Sequence, residues 1–270
     1  MEIHSHDKLK HIGQFVSPLI IGHRGTSALA PENTLAAFRL SQQQGADGIE
    51  FDVQLTSDGV PVVIHDFDLR RTGSLSKLVS EVTLKEIRNV DVGSWFNHNQ
   101  FSGEKVPTLD EVFDLFDGTD AVLYLEMKSE TNRREQLAKR CCELISESPL
   151  KPQVIVECFD HDAIKLVTSI DPEIKTAALF EPNLSTLPLS IFGSKIINRA
   201  LAVSADQIAL HHKLARPAVI QKAHHEGLDV AVWTVDDPKW IEIARHNKIS
   251  ALITNNPGAL ISERDRASSD

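Results

Sequence analysis

The sequence predicts an α/β fold, a (β/α)8 barrel, from three observations. Short apolar runs alternate with helical patterns along nearly the whole chain. Most of these runs are continuous in Val, Ile, Leu and Ala, without the polar alternation of a half-exposed strand, which suits parallel strands covered on both faces. Eight such runs within 270 residues match the size of one barrel. A doubly wound parallel sheet is the alternative.

The predicted strands are 18–23, 47–53, 121–127, 153–158, 175–180, 201–204, 229–234 and 251–254. Helices fill the gaps. Asn33 is placed to cap a helix in which Leu35 and Phe38 share a face. Residues 131–148 carry charges on their outer positions. "RPAVIQKAHHEG" sets Pro217 at a helix start and Gly227 past its end. "DDPKWIEIARH" offers an aspartate cap followed by Pro238. Residues 54–108 fit no βα unit and read as a hairpin with a polar, loop-rich insertion between strand 2 and helix 2. The barrel domain is expected over 18–262, with an N-terminal extension at 1–17 and a tail at 263–270.

Formal charge is −10, from 38 acidic and 28 basic residues. Such a surface repels nucleic acid and anionic membranes, so an anionic partner needs a locally positive site. Three cysteines, two of them adjacent, give neither a disulfide framework nor a zinc spacing. No apolar run reaches the length of a membrane span, and the first residues lack the apolar core of a signal peptide. The chain therefore reads as a cytoplasmic protein of unknown oligomeric state.

Barrel enzymes carry their reactive groups at the C-terminal ends of strands. Here the strands end in His23 and Arg24, in Glu50 and Asp52, in Glu126 and Lys128, and in Trp233 and Thr234. Glu50 and Asp52 are two apart and share a face, as do Glu126 and Lys128. Asp58-Gly59 signals a two-residue hairpin turn. That register sets Asp52 opposite His65, and a slip of one residue turns His65 away. Three clustered carboxylates without cysteine favour a hard divalent cation, Mg²⁺ or Ca²⁺. Arg24 and Lys128 suit phosphate, and two histidines suit acid–base work near neutral pH. Together these parts point to metal-assisted cleavage of a phosphate ester.

The stretches "HRG", "PENTLAAF", "GADGIEFDVQLTSDGVPVVIHD" and "LEMK" resemble the glycerophosphodiester phosphodiesterase family. The resemblance is dense between residues 22 and 66 and looser in "PTLDEVF", "VWTVDD" and "LITNNP". It implies a barrel that hydrolyses glycerophosphodiesters to sn-glycerol 3-phosphate and an alcohol. It also implies metal ligation by Glu50, Asp52 and Glu126, acid–base roles for His23 and His65, and phosphate contacts from Arg24 and Lys128. Three positions depart from the usual pattern: Asn255 where the family commonly has Asp, Cys158 where it has Ser, and Gly73 where it has Thr. Glu32 either lines the site or favours its helix N-terminus. Phe159 and Trp233 are pocket walls or core. The adjacent pairs His211-His212 and His224-His225 read as surface residues. Two other readings keep part of this chemistry: a lysophospholipase D or sphingomyelinase D-like lipid phosphodiesterase, and a non-catalytic phosphodiester-binding barrel.

Overall fold

The computed structural model describes residues 17–128, 132–182 and 189–267, with only the backbone of 189–192. The expected N-terminal extension before Ser17 and the end of the tail at 268–270 lie outside the described residues.

Eight parallel strands close on themselves. They are β1 (Leu19–His23), β2 (Gly48–Leu55), β3 (Val122–Met127), β4 (Val154–Cys158), β5 (Lys175–Phe180), β6 (Gln207–His211), β7 (Asp229–Trp233) and β8 (Ala251–Thr254). Each pairs with its successor in the chain, and β8 pairs with β1 from Leu19↔Ala251 to Gly22↔Thr254. The helices between and after them are α1 (Leu35–Gln43), α2 (Leu109–Phe116), α3 (Arg134–Glu147), α4 (His161–Ile170), α5 (Leu189–Ala202), α6 (Pro217–His225), α7 (Trp240–Asn247) and α8 (Pro257–Arg266).

Period-two alternation divides each strand between two cores. Outward residues such as Ile49, Phe51, Val53, Leu123 and Leu125 pack under the helices with Phe38, Phe113 and Phe116. Inward residues fill the barrel. Tyr124, Ile155 and Ile21 are large, while β5 to β8 contribute Ala177, Ala209, Ala231 and Ala251. The small side chains of one wall make room for the large ones of the other, so the barrel floor is solid and only the C-terminal mouth is open to chemistry.

Two elements differ from the sequence reading. Leu201–Ser204 is not a strand: α5 runs to Ala202, and β6 begins five residues later than Ala202, at Gln207. The segment is apolar enough for either state, and helical spacing wins because Ile196, Ile197 and Ala200 share a buried face while Leu201 is exposed. Ser204, at φ 55°, then reverses the chain into β6. Asn33 is not the cap of α1; Thr34 is, its hydroxyl accepting from the Ala37 amide at 3.2 Å.

The insertion between β2 and α2 has its own small core of Val62, Ile64, Leu69, Val79, Val82, Ile87 and Val106. It opens with an antiparallel arm, Pro61–Val63, on the free part of β2. Among the described residues no helix is long and apolar enough to cross a membrane.

Candidate active site

The site begins where β1 ends. Arg24 and Gly25 both have positive φ, 54° and 81°, a conformation that costs a non-glycine residue about 1 kcal/mol or more. A Cβ on Gly25 would sit 2.7 Å from Ala37 of α1, so the turn needs glycine for space as well as for φ. The strained turn aims the Arg24 amide at Glu50, donating to Oε2 at 3.0 Å. "HRG" is thus a reversal that presents a histidine, an arginine and a backbone donor to the barrel mouth.

The carboxylates come from three adjacent strands. Register sets His23 beside Glu50, and sets Asp52, Glu126 and Glu157 side by side across β2, β3 and β4. Carboxylate oxygens of Glu50, Glu126 and Glu157 lie within 4.8 Å of one another, all buried. Glu157 was not anticipated. Its only sequence signal is an acid inside the apolar run "VIVEC", in phase with the inward Ile155.

Two cations answer these acids. Lys128 Nζ lies 2.6 Å from Glu126 Oε1 and 3.1 Å from Asp52 Oδ1. Arg24 Nε lies 3.2 Å from Asp52 Oδ2, and its Nη1 lies 2.8 Å from Glu32 Oε1. Asn33, itself at φ 57°, donates to Asp52 Oδ2 at 2.7 Å and accepts the Asp52 amide at 3.3 Å. Burial pushes the Asp52 carboxyl up, but Lys128 and Arg24 outweigh it and hold it well below the usual range. Glu126 goes the other way: burial and the neighbouring Asp52 raise it to about 7 despite Lys128. Glu50 and Glu157 are raised by burial and by the other carboxylates.

Asp52 therefore differs from the other acids. Its Oδ2 is held by Asn33 and Arg24, and its Oδ1 pairs with Lys128 at 3.1 Å. Glu157 Oε2, by contrast, is buried with no hydrogen-bond partner. The mouth thus holds a buried carboxylate oxygen with unused capacity.

His65 arrives by a route the sequence register missed. The hairpin pairs Val53↔Val63, Gln54↔Val62 and Leu55↔Pro61, one residue off the expected alignment. The loop has three residues rather than two: Gly59, at φ 78°, ends a turn closed by its amide on Thr56 O at 3.0 Å, and the Thr56 amide bonds Val60 O at 3.1 Å. By strict alternation His65 would face outward. The ladder stops at Val63, however, and Gln54 Nε2 gathers the carbonyls of Ile64, His65 and Asp66 at 2.8–3.0 Å. This bends the chain and brings His65 close enough for Asp52, Lys128 and Arg24 to act on its charge. Its Nδ1 lies 2.7 Å from Asp66 Oδ1. Arg71 then ties Asp66 to Glu32, with Nε 2.7 Å from Asp66 Oδ2 and Nη1 2.9 Å from Glu32 Oε2.

His23 is deeper. Burial, then Arg24, lower its pKa to about 4, so the ring is neutral at ordinary pH. Its Nε2 lies 3.8 Å from Glu50 Oε2 and its Nδ1 2.7 Å from Asn255 Oδ1. The pocket below joins His23, Glu50, Glu126 and Glu157 to an opposite wall of Phe159, Leu179, Trp233 and Ile253. Phe159 and Trp233 meet edge to face at 5.6 Å, so both line the pocket and neither is simply core. His211 packs on the other side of Trp233 at 5.1 Å; the surface reading of this histidine fails because it ends β6 with an inward phase. Glu32, between Arg24 and Arg71, belongs to the site's charge network and lies outside α1.

A model of the "Glycerophosphoryl diester phosphodiesterase family" matches residues 23–259. The "Glycerophosphodiester phosphodiesterase" of Caldanaerobacter subterraneus is 33% identical over 243 residues, covering 90% of this chain and 96% of that one. That of Bacillus subtilis is 32% identical over 260 residues, covering 91% and 87%. An Oleispira antarctica phosphodiesterase, solved with its product sn-glycerol-3-phosphate, superposes with a TM-score of 0.83 at 26% identity, covering 94% of this chain and 99% of that one. With the HR and HD histidines and the barrel carboxylates in place, the chain belongs to the glycerophosphoryl diester phosphodiesterase family and is a phosphoric diester hydrolase of that activity.

Proposed function

We propose that this enzyme cleaves water-soluble glycerophosphodiesters, such as glycerophosphocholine or glycerophosphoethanolamine, to sn-glycerol 3-phosphate and the alcohol, using one Mg²⁺ or Ca²⁺ ion. The observation that carries this reading is the buried cluster of Glu50, Glu126 and Glu157, whose carboxylate oxygens lie within 4.8 Å of one another, with Asp52 beside Glu126 in register. Four buried acids, Glu50, Asp52, Glu126 and Glu157, face two cations, Arg24 and Lys128. Hard oxygen donors with an excess of two negative charges suit a divalent cation. Glu50, Asp52 and Glu126 would hold it, with Glu157 alongside. Bound there, the ion supplies Lewis acidity, lowering the pKa of a coordinated hydroxyl and offsetting charge at phosphorus.

The chain's own residues account for the remaining parts. The pocket floor pairs carboxylates with Leu179, Ile253 and Trp233, matching a glycerol whose hydroxyls and CH groups need different neighbours. Arg24 and Lys128, the two cations at the mouth, bind the phosphate oxygens and carry the charge that grows there. His23, inside the pocket, takes at Nε2 the proton of the free glycerol hydroxyl, whose oxygen bonds to phosphorus as the bond from phosphorus to the departing alcohol breaks, closing a cyclic phosphate. His65, whose side chain is 31% exposed, donates a proton to the alcohol that leaves through the mouth. The two exchange roles when water opens the resulting cyclic phosphate.

The test is release of sn-glycerol 3-phosphate from glycerophosphocholine after chelation and after titration with Mg²⁺ or Ca²⁺, with lysophosphatidylcholine run beside it. Cation-dependent turnover of the soluble diester is expected, lost in His23→Ala and in His65→Ala while the far-UV spectrum is kept. Full turnover in EDTA, or in either variant, contradicts the reading. Preference for the lysolipid replaces the substrate class and leaves the chemistry.

A further inference from the structure

His23 Nδ1 and Asn255 Oδ1 are 2.7 Å apart, and the rest of that amide is already committed. Asn255 Nδ2 donates to Asp236 Oδ2 at 2.8 Å. The Asn255 backbone N–H donates to the other oxygen, Asp236 Oδ1, at 2.8 Å, and the Thr254 hydroxyl donates to it at 2.9 Å. An ionised carboxylate only accepts hydrogen bonds, so the nitrogen end of the amide is the end that faces Asp236. Turned over, it would press a carbonyl oxygen against a carboxylate oxygen. Asn255 Oδ1 is thereby left facing His23 and the Ser27 hydroxyl, which donates to it at 2.9 Å. A carbonyl oxygen has no hydrogen to give, so His23 Nδ1 must carry one. A neutral imidazole with its hydrogen on Nδ1 has its lone pair on Nε2, the nitrogen on the Glu50 side.

We propose that Asp236 and Asn255 form a two-residue relay that fixes His23 as its Nδ1–H tautomer, so that Nε2 enters the reaction able only to accept a proton. Neither residue touches a reacting atom. Both are positioning residues, and they join the ends of β7, β8 and β1 across the mouth. The relay rests on the role given to His23 above, but its structural content does not depend on turnover.

The relay also gives the two histidines different partners. His65 Nδ1 meets the Asp66 carboxylate, a charged acceptor that favours the protonated ring against the burial that lowers its pKa. His23 Nδ1 meets an amide, which orients the ring without stabilising positive charge on it. The amide at 255 therefore ties His23 to the base role in this chain.

The test is long-range ¹H–¹⁵N correlation on the full chain labelled at histidine, with and without Mg²⁺, using His23→Ala to assign the resonance. Wild type should show one neutral tautomer, protonated at Nδ1. Asn255→Leu removes the acceptor, and a mixture of tautomers should appear, with kcat on glycerophosphocholine down about 10- to 100-fold and KM within about threefold. Asn255→Asp combined with Asp236→Asn keeps an oxygen on Nδ1 and a donor facing an acceptor between the two residues, and should restore the single tautomer and most of kcat. Asp236→Ala, which leaves His23 and its partner in place, should also mix the tautomers and guards against a misfolded Asn255→Leu. A proton on Nε2 in wild type, or a pure Nδ1–H form in both Asn255→Leu and Asp236→Ala, overturns the relay. A wild-type enzyme with no turnover but the expected tautomer refutes the substrate reading instead.

Discussion

Glu157 is the register partner of Glu126 on the neighbouring strand, and both turn their carboxylates into the barrel. Two acids at that spacing in a buried site oppose folding unless protons or cations join them. Replacing Glu157 with Gln keeps the shape and removes one charge. The metal-free variant should melt higher than wild type by several degrees, while the Mg²⁺ concentration for half-saturation rises about tenfold. Calorimetric titration and melting curves with and without Mg²⁺ check both. An unchanged cation affinity would remove Glu157 from the ligand set.

Cation affinity should rise with pH across neutrality. Glu126 is raised to about 7 by burial and by Asp52, so below that pH a cation must displace its proton, at a cost of about tenfold in affinity per pH unit. The sign for stability follows from the same shift. Glu126 binds its proton more tightly folded than unfolded, so it adds stability at pH 4.5 and below, and loses that contribution as pH rises through about 7. His23, lowered to about 4 by burial and Arg24, acts over nearly the same window with the opposite sign: its contribution is intact above 6.5 and fades as pH falls toward 4, so the two largely offset each other between 4.5 and 6.5. Metal-free protein should therefore lose thermal stability as pH rises from 6.5 through about 7, and Mg²⁺ should restore more of it at the upper end. A flat metal-free curve in that range contradicts the assignment.

Lys128→Met should impair catalysis and folding together. The ammonium bridges Glu126 and Asp52, and Asp52 is fully buried. Arg24 and Asn33 still hold the other Asp52 oxygen, so the stability loss should stay near 1–3 kcal/mol. The drop in kcat/KM should reach about 100-fold or more, from lost charge stabilisation at phosphorus. A variant with wild-type kcat/KM makes Lys128 structural.

Arg71→Ala should separate activity from stability. Its side chain is 41% exposed, and ion pairs so exposed contribute at most about 1 kcal/mol. It nevertheless holds Asp66 against His65 and Glu32 against Arg24. We expect kcat to fall about tenfold with little change in melting temperature. A large loss of stability with normal kcat would reverse that account.

The sequence by itself determined the barrel and most of the polar groups that gather at its mouth. Continuous apolar runs that alternate with helical patterns suit strands covered on both faces, and the polar groups at their C-terminal ends then gather at one mouth. His23, Arg24, Glu50, Asp52, Glu126 and Lys128 follow from that rule. Tertiary structure decided what depends on neighbours distant in the chain. The hairpin register turned on a third loop residue, and His65 reaches the site because Gln54 bends the chain, not because of its place in the ladder. Leu201–Ser204 took the helical state because α5 offered it a buried face. Glu157, Asn33 and Asn255 look like an apolar-strand acid, a helix cap and a turn residue in the sequence. Their roles arise from side chains brought within hydrogen-bond reach across adjacent strands and loops, and such contacts leave no periodicity for a linear reading to find.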